Sequence, residues 1–578
     1  MIVRMVALLV AAALAAYGAG TVVPASLFRS VLERVGLRVA AGLALLATVF
    51  FALAAAGRLR RAELLAVGVA AIAAAIPDLI RVPRRMPRPT FPAAVAAVVA
   101  IAAIVLALYP PTAFDETLYH LPTVGAFASS GRMPFVSSLR VPVFPNLAEA
   151  LEVPLYLFGG DVATHGLPLL ATIATVLLVF ASARRGGEPT AWLAAAIFMS
   201  SPIVLHLAST GYVEAPLTLF CFAAWVALDA GESPARGRIV LAGALAGAAA
   251  SVKYLGLPWA AGAGIAAAAL SKKGRRIPAA AVFAAAAVAV LAPWYLRICR
   301  ATGNPVFPFL PAVFGHSAWD PVGLPHRSLA SGFRDLLRLP FDTLFARGRV
   351  NGQPPFSPWF LAASPLLVAL AIRDRRARVA ASVAIVWSVL WLVMPSDSRY
   401  LTVLLPILSV EAARAAAAAA ARLGRHLSPA AAVLAVVPGL AYAGYRVAKQ
   451  GPPPVDADGR ERFLRAAVPG YAAVSFLNRT SPAETVFVCG GEQLRWHFRG
   501  TLIGDASGIA RYDEILSLPS GAAVADRLGA LGVRRILRIR SACRAPVLDL
   551  PDFPFRTVYS DPAAIVEERL PAKLSAAP

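Results

Sequence analysis

Apolar runs of roughly 14 to 22 residues, separated by short loops in which Arg recurs, dominate this chain. A run of roughly 17–25 apolar residues crosses a bilayer as a helix, and shorter runs cross when tilted or paired. On that criterion about fourteen spans are predicted, over residues 5–22, 39–56, 64–80, 91–109, 162–182, 190–207, 212–228, 239–252, 255–270, 277–296, 357–372, 379–394, 400–421 and 427–445. The first run also reads as a signal peptide, because Arg4 precedes it, but no clear small-residue cleavage site precedes the second. After Gly451-Pro452-Pro453-Pro454 the pattern changes. A helical period over 461–477, a strand-like 485–488, a helix over 522–531 and a strand-like 535–539 predict a small α/β domain. The chain therefore divides into extra N-terminal spans (1–90), a main membrane domain (91–450) and a C-terminal domain (451–578).

Composition agrees with the pattern. Of 578 residues 58% are apolar and 15% charged, against about 45–50% and about 25% in soluble proteins, so a polytopic α-helical membrane protein is expected. The net charge of +23 does not point to nucleic acid, since the cations lie in short runs between apolar spans. Arg184-Arg185, Arg236 with Arg238, Lys272-Lys273-Gly274-Arg275-Arg276, Arg373 to Arg378, Arg422 with Arg425, and Arg81, Arg84, Arg85 and Arg88 fall in alternate loops, which the positive-inside bias assigns to the cytoplasm. One turn disagrees, because Arg58, Arg60 and Arg61 then lie outside.

That topology gathers the polar residues of interest at the outer face. Asp115, Glu116 and His120 follow the fourth span within Phe114-Asp115-Glu116-Thr117-Leu118-Tyr119-His120-Leu121-Pro122, and an ionisable group beside hydrocarbon is costly unless it faces water or a partner. Arg132, Glu149, Glu214, Lys253, Tyr254, Arg297, Arg300, Asn304, Asp397, Arg399 and Tyr400 sit in outer loops or near outer ends of spans. Carboxylates suited to proton transfer, with Lys and Arg suited to phosphate, predict a site for an anionic substrate reached from the bilayer.

The acidic cluster followed by Gly131-Arg132-Met133-Pro134-Phe135, Ser201-Pro202 with Tyr212-Val213-Glu214, Gly243 to Gly247 leading into Ser251-Val252-Lys253-Tyr254-Leu255-Gly256-Leu257, Pro293-Trp294-Tyr295 with Thr302 to Pro308, and Arg399-Tyr400-Leu401 resemble the GT-C superfamily of integral membrane glycosyltransferases. The resemblance covers about residues 90 to 450 and is nearest to bacterial relatives of protein O-mannosyltransferases and of the lipid A aminoarabinose transferase. Two departures stand out: three extra spans precede the acidic loop, and Glu214 stands where Asp is common. The resemblance implies a GT-C-like catalytic domain that moves a sugar from a polyprenyl-phosphate donor to an acceptor hydroxyl on a glycan, lipid or protein, with inversion, at the extracytoplasmic face of a bacterial inner membrane. Asp115 is then the general base, with Glu116 as alternative base or acceptor-positioning group. Lys253, Arg297 and Arg399 bind the leaving prenyl phosphate, and His120, Glu214, Tyr254 and Tyr400 position substrate. No metal ligand set and no cofactor beyond the lipid-linked sugar is expected, with a divalent metal left open.

Each residue has a plainer reading. Asp115 and Glu116 can cap a helix, Lys253 can snorkel to the interface, and Arg297 and Arg300 can serve as interfacial anchors. The amphipathic stretch 333–339 reads as an interfacial helix, either a lid over the donor or a packing segment. Gly490-Gly491 lacks a G-x-G-x-x-G context, Asn478-Arg479-Thr480 is a weak sequon in a chain of bacterial type, and Cys489 and Cys543 can pair outside the cytoplasm. A transporter or flippase of lipid-linked sugars, or a non-enzymatic envelope-polysaccharide assembly factor, are the competing classes. A transporter is disfavoured because its polar groups belong at the bilayer midplane, often within internal repeats, and neither pattern is seen.

Overall fold

Backbone polar groups in hydrocarbon must be satisfied within the segment, so the apolar runs fold as helices. The computed structural model describes residues 2–81, 91–229, 234–321, 329–424 and 429–571. Arg84, Arg85, Arg88 and Arg425 of the expected cytoplasmic loops lie outside the described residues. The chain forms two units. One comprises Met1–Tyr109, Pro145–Leu296 and Leu324–Pro453; the other comprises Pro110–Phe144, Arg297–Gly323 and Pro454–Pro578.

The first unit is a helical bundle. By length and composition six helices among the described residues can each cross a membrane: Val3–Val22, Val31–Ala55, Arg61–Ile80, Asp161–Gly186, Lys273–Thr302 and Ser398–Arg422. The expected span 190–207 is instead a bent pair, Glu188–Met199 and Pro202–Ala208, turned by 73°. Pro202 lacks the N–H that would continue the first helix. Pro92–Ala107, Glu214–Leu228, Gly256–Leu270 and Pro358–Arg373 are shorter apolar helices. The expected 427–445 divides into Pro429–Ala435 and Val437–Gln450, with residues 427 and 428 outside the described set. The amphipathic stretch at 333–339 belongs to a longer helix, Leu329–Phe345.

Small residues let these helices approach. A Cβ at Gly243 would stand 2.3 Å from the Phe283 carbonyl oxygen and one at Gly247 2.3 Å from that of Ala287, so two glycines one turn apart seat helix Arg236–Val252 on its neighbour.

The loops of this bundle sort to two ends. At one end Asp229 pairs with Arg376 and, at 3.5 Å, with Arg185. Arg414 meets Asp374 at 3.1 Å, and buried Arg238 meets Glu33 at 2.7 Å while donating to the carbonyls of Leu27, Val226 and Ala227. Loops predicted to share one side are thus joined. Asp78, ending helix Arg61–Ile80, pairs with Arg38 in the first turns of Val31–Ala55, which places Arg61 at the opposite end. There Arg61 donates to the Leu157 carbonyl at 2.9 Å. The basic turn at Arg58, Arg60 and Arg61 therefore stays an exception to the charge pattern.

The second unit contains a five-stranded sheet, β1 (Thr485–Cys489), β2 (Thr501–Ile503), β3 (Arg535–Ile539), β4 (Phe555–Ser560) and β5 (Ala564–Arg569), in the order β2-β1-β3-β5-β4. β1 runs parallel to β2 and β3, whereas β3, β5 and β4 pair antiparallel. Phe487, Ile503, Val524, Leu528 and Ile536 form its core with helix Gly521–Ala530. The single helix expected over 461–477 is two, Ala457–Ala467 and Tyr471–Thr480, parted by Gly470 at φ +84°. Cys489 and Cys543 form a disulfide joining the end of β1 to the loop after β3.

Candidate active site

The candidate residues fall into two groups, one in each unit. In the bundle, Glu214 opens helix Glu214–Leu228, Lys253 ends helix Arg236–Val252, and Arg399 lies in the 3-10 turn Ser398–Leu404. The fold brings these three together. Lys253 Nζ lies 2.9 Å from Glu214 Oε1, which is 4.0 Å from Arg399 Nη1. Arg399 also grips Asp397 Oδ2 through Nε and Nη2, both at 2.8 Å. Asn351 and Gln353 add donors to the same oxygen at 2.7 and 3.3 Å. Tyr400 lies under Lys253 with its ring centroid 4.8 Å from Nζ, and Arg399 lies over Tyr212 at 4.3 Å. Tyr254 packs edge-on against Tyr295 at 5.8 Å.

Glu214, Asp397 and Arg399 are buried, and two cations face two carboxylates. Removing one member of such a buried set costs about 3–5 kcal/mol, because the partner keeps an uncompensated charge. Asn351 and Gln353 carried no signal in the sequence, being neutral residues more than forty positions from their partner.

In the second unit the acidic segment is helical from Phe114 to Ser130, but not uniformly α. Glu116–His120 is a π-helical turn, in which the Leu121 N–H donates to the Glu116 carbonyl five residues back. Pro122 accounts for this: it has no N–H for the Leu118 carbonyl, and its ring crowds that oxygen. Such single turns recur at functional sites, since they re-aim the side chains around them. Glu116 and His120 are buried, Asp115 is half-buried, and Glu116 Oε2 accepts from the Ala113 N–H at 3.2 Å. His120 packs against the Tyr119 ring at 4.2 Å.

Two arginines fasten this segment. Arg297, expected to be a phosphate ligand, donates to the carbonyls of Met133, Phe144 and Pro134 at 3.1, 3.3 and 3.4 Å and covers Phe127 at 5.5 Å. Those contacts tie the Arg297 side chain to residues 133–144. Arg140, which sequence reasoning passed over, pairs with Asp505 at 2.5 Å and approaches Glu492 at 3.7 Å, with its guanidinium 5.7 Å from the Phe114 ring centroid. Asp505 also meets buried Arg495 at 3.4 Å, and Tyr512 donates to Glu492 at 2.5 Å. Burial, and then that bond to Glu492, pushes the Tyr512 phenol well above its usual range. Trp319 donates to the Leu139 carbonyl at 3.1 Å and meets Phe135 edge-on at 5.5 Å. A turn held by buried Asn304, which donates to the Phe309 carbonyl and accepts from the Val306 N–H, both at 2.8 Å, precedes it in the chain.

Comparison with known proteins bears on the fold. ArnT from Cupriavidus metallidurans, solved in the apo state and bound to undecaprenyl phosphate, is similar with a TM-score of 0.54 and 18% identity over 84% of this chain and 98% of ArnT. Arabinofuranosyltransferase AftD from Mycobacteria gives a TM-score of 0.49 and 15% identity over 84% of this chain and 42% of AftD. A family model described as SF2091/S2213 matches residues 459–566, and no curated protein matches the chain. The chain has the fold of ArnT, in line with the architecture that the sequence resemblance implied.

Proposed function

We propose that this chain, which has the fold of a GT-C-type membrane transferase, moves a sugar from a polyprenyl-phosphate donor to an acceptor hydroxyl at the extracytoplasmic face of a bacterial inner membrane. The observation that carries the reading is the acidic pair Asp115 and Glu116 set at a π-helical turn directly after a membrane-type helix, in a chain of ArnT fold. The acceptor hydroxyl is a poor nucleophile until a carboxylate takes its proton, and Asp115, half-buried and at the start of the π turn, is the base. Glu116, buried and bonded to the Ala113 N–H, holds the turn and positions the acceptor. The bond from the anomeric carbon to the phosphate oxygen breaks as the acceptor oxygen attacks, so charge grows on the departing prenyl phosphate. Lys253 and Arg399 supply cations to meet it, with Glu214 and Asp397 holding them in place and Tyr400 and Tyr254 lining the approach. A single displacement inverts the anomeric centre.

His120 orients the turn, and Arg297 secures the segment through its carbonyl contacts. No metal or further cofactor enters this scheme. About fourteen apolar runs span in this reading, the shorter helices tilting or pairing and the bent pair Glu188–Met199 and Pro202–Ala208 acting as one broken span, and the Arg-rich end faces the cytoplasm. The disulfide between Cys489 and Cys543 favours an oxidising compartment for the C-terminal domain. Donor ArnT-type chemistry is supported by undecaprenyl phosphate bound to ArnT, a polyprenyl lipid of the class proposed here. Incubating purified protein with a panel of polyprenyl-phosphate sugars and envelope-derived acceptors tests the proposal. Release of polyprenyl phosphate coupled to acceptor glycosylation is expected with at least one donor, and bound donor without turnover across the panel would argue for transport or assembly instead.

A further inference from the structure

Three arginines stand near one imidazole in the helical unit, with Lys253 beside Glu214 next to them, and these cations divide by what holds them. The imidazole is His206, whose charge environment includes Arg446, Arg399, Arg347 and Glu214. Its ring lies 5.8 Å from that of Tyr212, over which Arg399 sits at 4.3 Å. Lys253 and Arg399 are matched by Glu214 and Asp397. Arg446 and Arg347 are held by neutral groups alone among the described residues. Four positive charges thus face two carboxylates.

The neutral contacts aim these cations rather than cancel them. Half-buried Arg446 donates from Nε to Gln450 Oε1 at 3.1 Å and from Nη1 to the Tyr442 hydroxyl at 3.0 Å and His206 Nδ1 at 3.4 Å. A guanidinium only donates, so Nδ1 is the acceptor and the imidazole proton rests on Nε2. Tyr442, having accepted from Arg446, likewise keeps its own O–H to give. Arg347 donates to the carbonyls of Gln353 and Gly352, both at 2.7 Å, which fixes its fork. Arg446 keeps its Nη2 N–H groups and Arg347 its Nη1 N–H groups, and with the Tyr442 O–H and the His206 Nε2–H these donors suit a tetrahedral oxyanion. Tyr445 and Lys449 on the same helix differ, being exposed side chains of the kind that anchor a helix end at the interface.

We propose that Arg446, Arg347, Tyr442 and His206 form an oxyanion subsite for a lipid-borne phosphate, distinct from the paired Lys253–Glu214 and Arg399–Asp397 set. It rests on the transferase reading only for which lipid fills it. Two sources share the chemistry: a prenyl phosphate, or the headgroup of a bulk anionic phospholipid.

The test is native mass spectrometry of the full chain, titrated with farnesyl phosphate in detergent and, separately, released from nanodiscs of phosphatidylglycerol or phosphatidylcholine. Arg446→Gln should weaken one lipid class by about 10- to 100-fold, the scale of a lost charge-assisted pair, with Arg446→Lys recovering part. Arg347→Gln should weaken the same class, and Lys449→Gln should change neither. Loss confined to farnesyl phosphate assigns the subsite to the prenyl lipid, and loss confined to phosphatidylglycerol assigns it to bulk headgroups. Unchanged binding of both lipids in a folded Arg446→Gln, Arg347→Gln double variant overturns the subsite; should that variant misfold, unchanged binding in Arg446→Lys and Arg347→Lys, judged separately, does so. Since binding is read without turnover, a protein that binds through Arg446 yet transfers no sugar keeps this inference and loses only the transferase reading.

Discussion

Replacing Asp505 by Ala tests whether the C-terminal domain holds the acidic segment in place. Asp505 is 3% exposed and lies between Arg140 at 2.5 Å and Arg495 at 3.4 Å. The Arg495 side chain is 6% exposed, so losing the carboxylate leaves a buried cation with the Leu502 carbonyl at 3.2 Å and, among the described residues, no other anion at salt-bridge range. Breaking a buried pair in this way costs about 3–5 kcal/mol. Arg140, 28% exposed, loses less, because water and Glu492 at 3.7 Å remain. At 1.4 kcal/mol per tenfold, local opening should rise by about 100- to 3,000-fold. Hydrogen exchange of the full-length protein reads this directly, in peptides covering 110–144 and 485–515. Both should exchange faster in Asp505→Ala. Asp526→Ala is the control, since its pair with Arg569 at 2.9 Å has a 79% exposed carboxylate and is worth about 0–1 kcal/mol. Faster exchange in 485–515 with 110–144 unchanged would refute the idea that Arg140 transmits the anchorage.

Two further predictions concern sidedness and pH. With Cys299 replaced by Ser, a cysteine at exposed Ser130 should react with an impermeant thiol reagent in intact cells and one at exposed Gly274 should not; the opposite pattern would reverse the proposed orientation. Glu567 in β5 has its carboxyl raised above the usual range, chiefly by burial, with Arg538 at 3.5 Å opposing. The folded state then holds its proton more tightly than the unfolded state, so stability falls as pH rises from the unfolded value near 4.5 through the folded one. Thermal unfolding of the C-terminal domain followed against pH should lose that slope in Glu567→Gln, and an unaltered slope would assign it to other groups.

Much of this organisation is legible locally. Apolar periodicity reports the helices, and the Arg runs report loops that Asp229 and Asp374 then join. The Phe114 to Pro122 cluster stands out because charge beside hydrocarbon is costly. What was not legible is non-local or geometric. Arg140 and Asp505 are 365 residues apart, and nothing in either neighbourhood marks the pairing. The π turn follows from Pro122, yet a proline at the second position of a helix ordinarily signals only a helix start. β4 and β5 escaped notice because they lie at one side of the sheet with half-exposed, charge-bearing faces, without the apolar run that marks β1 and β3. Arg297 showed a cation at a span end, but its three carbonyl partners are set by the fold of 110–144.

The central claim is that Asp115 takes the proton of an acceptor hydroxyl. It is tested most directly by single-turnover transfer from a productive polyprenyl-phosphate sugar, comparing wild type with Asp115→Asn, which keeps the shape but not the basicity. The expected rate is lowered about 100- to 10,000-fold, with donor affinity and unfolding temperature unchanged. A near-normal rate in Asp115→Asn would contradict it, moving the base to Glu116 if Glu116→Gln alone abolishes transfer, and removing the proton-transfer role from this turn if it does not.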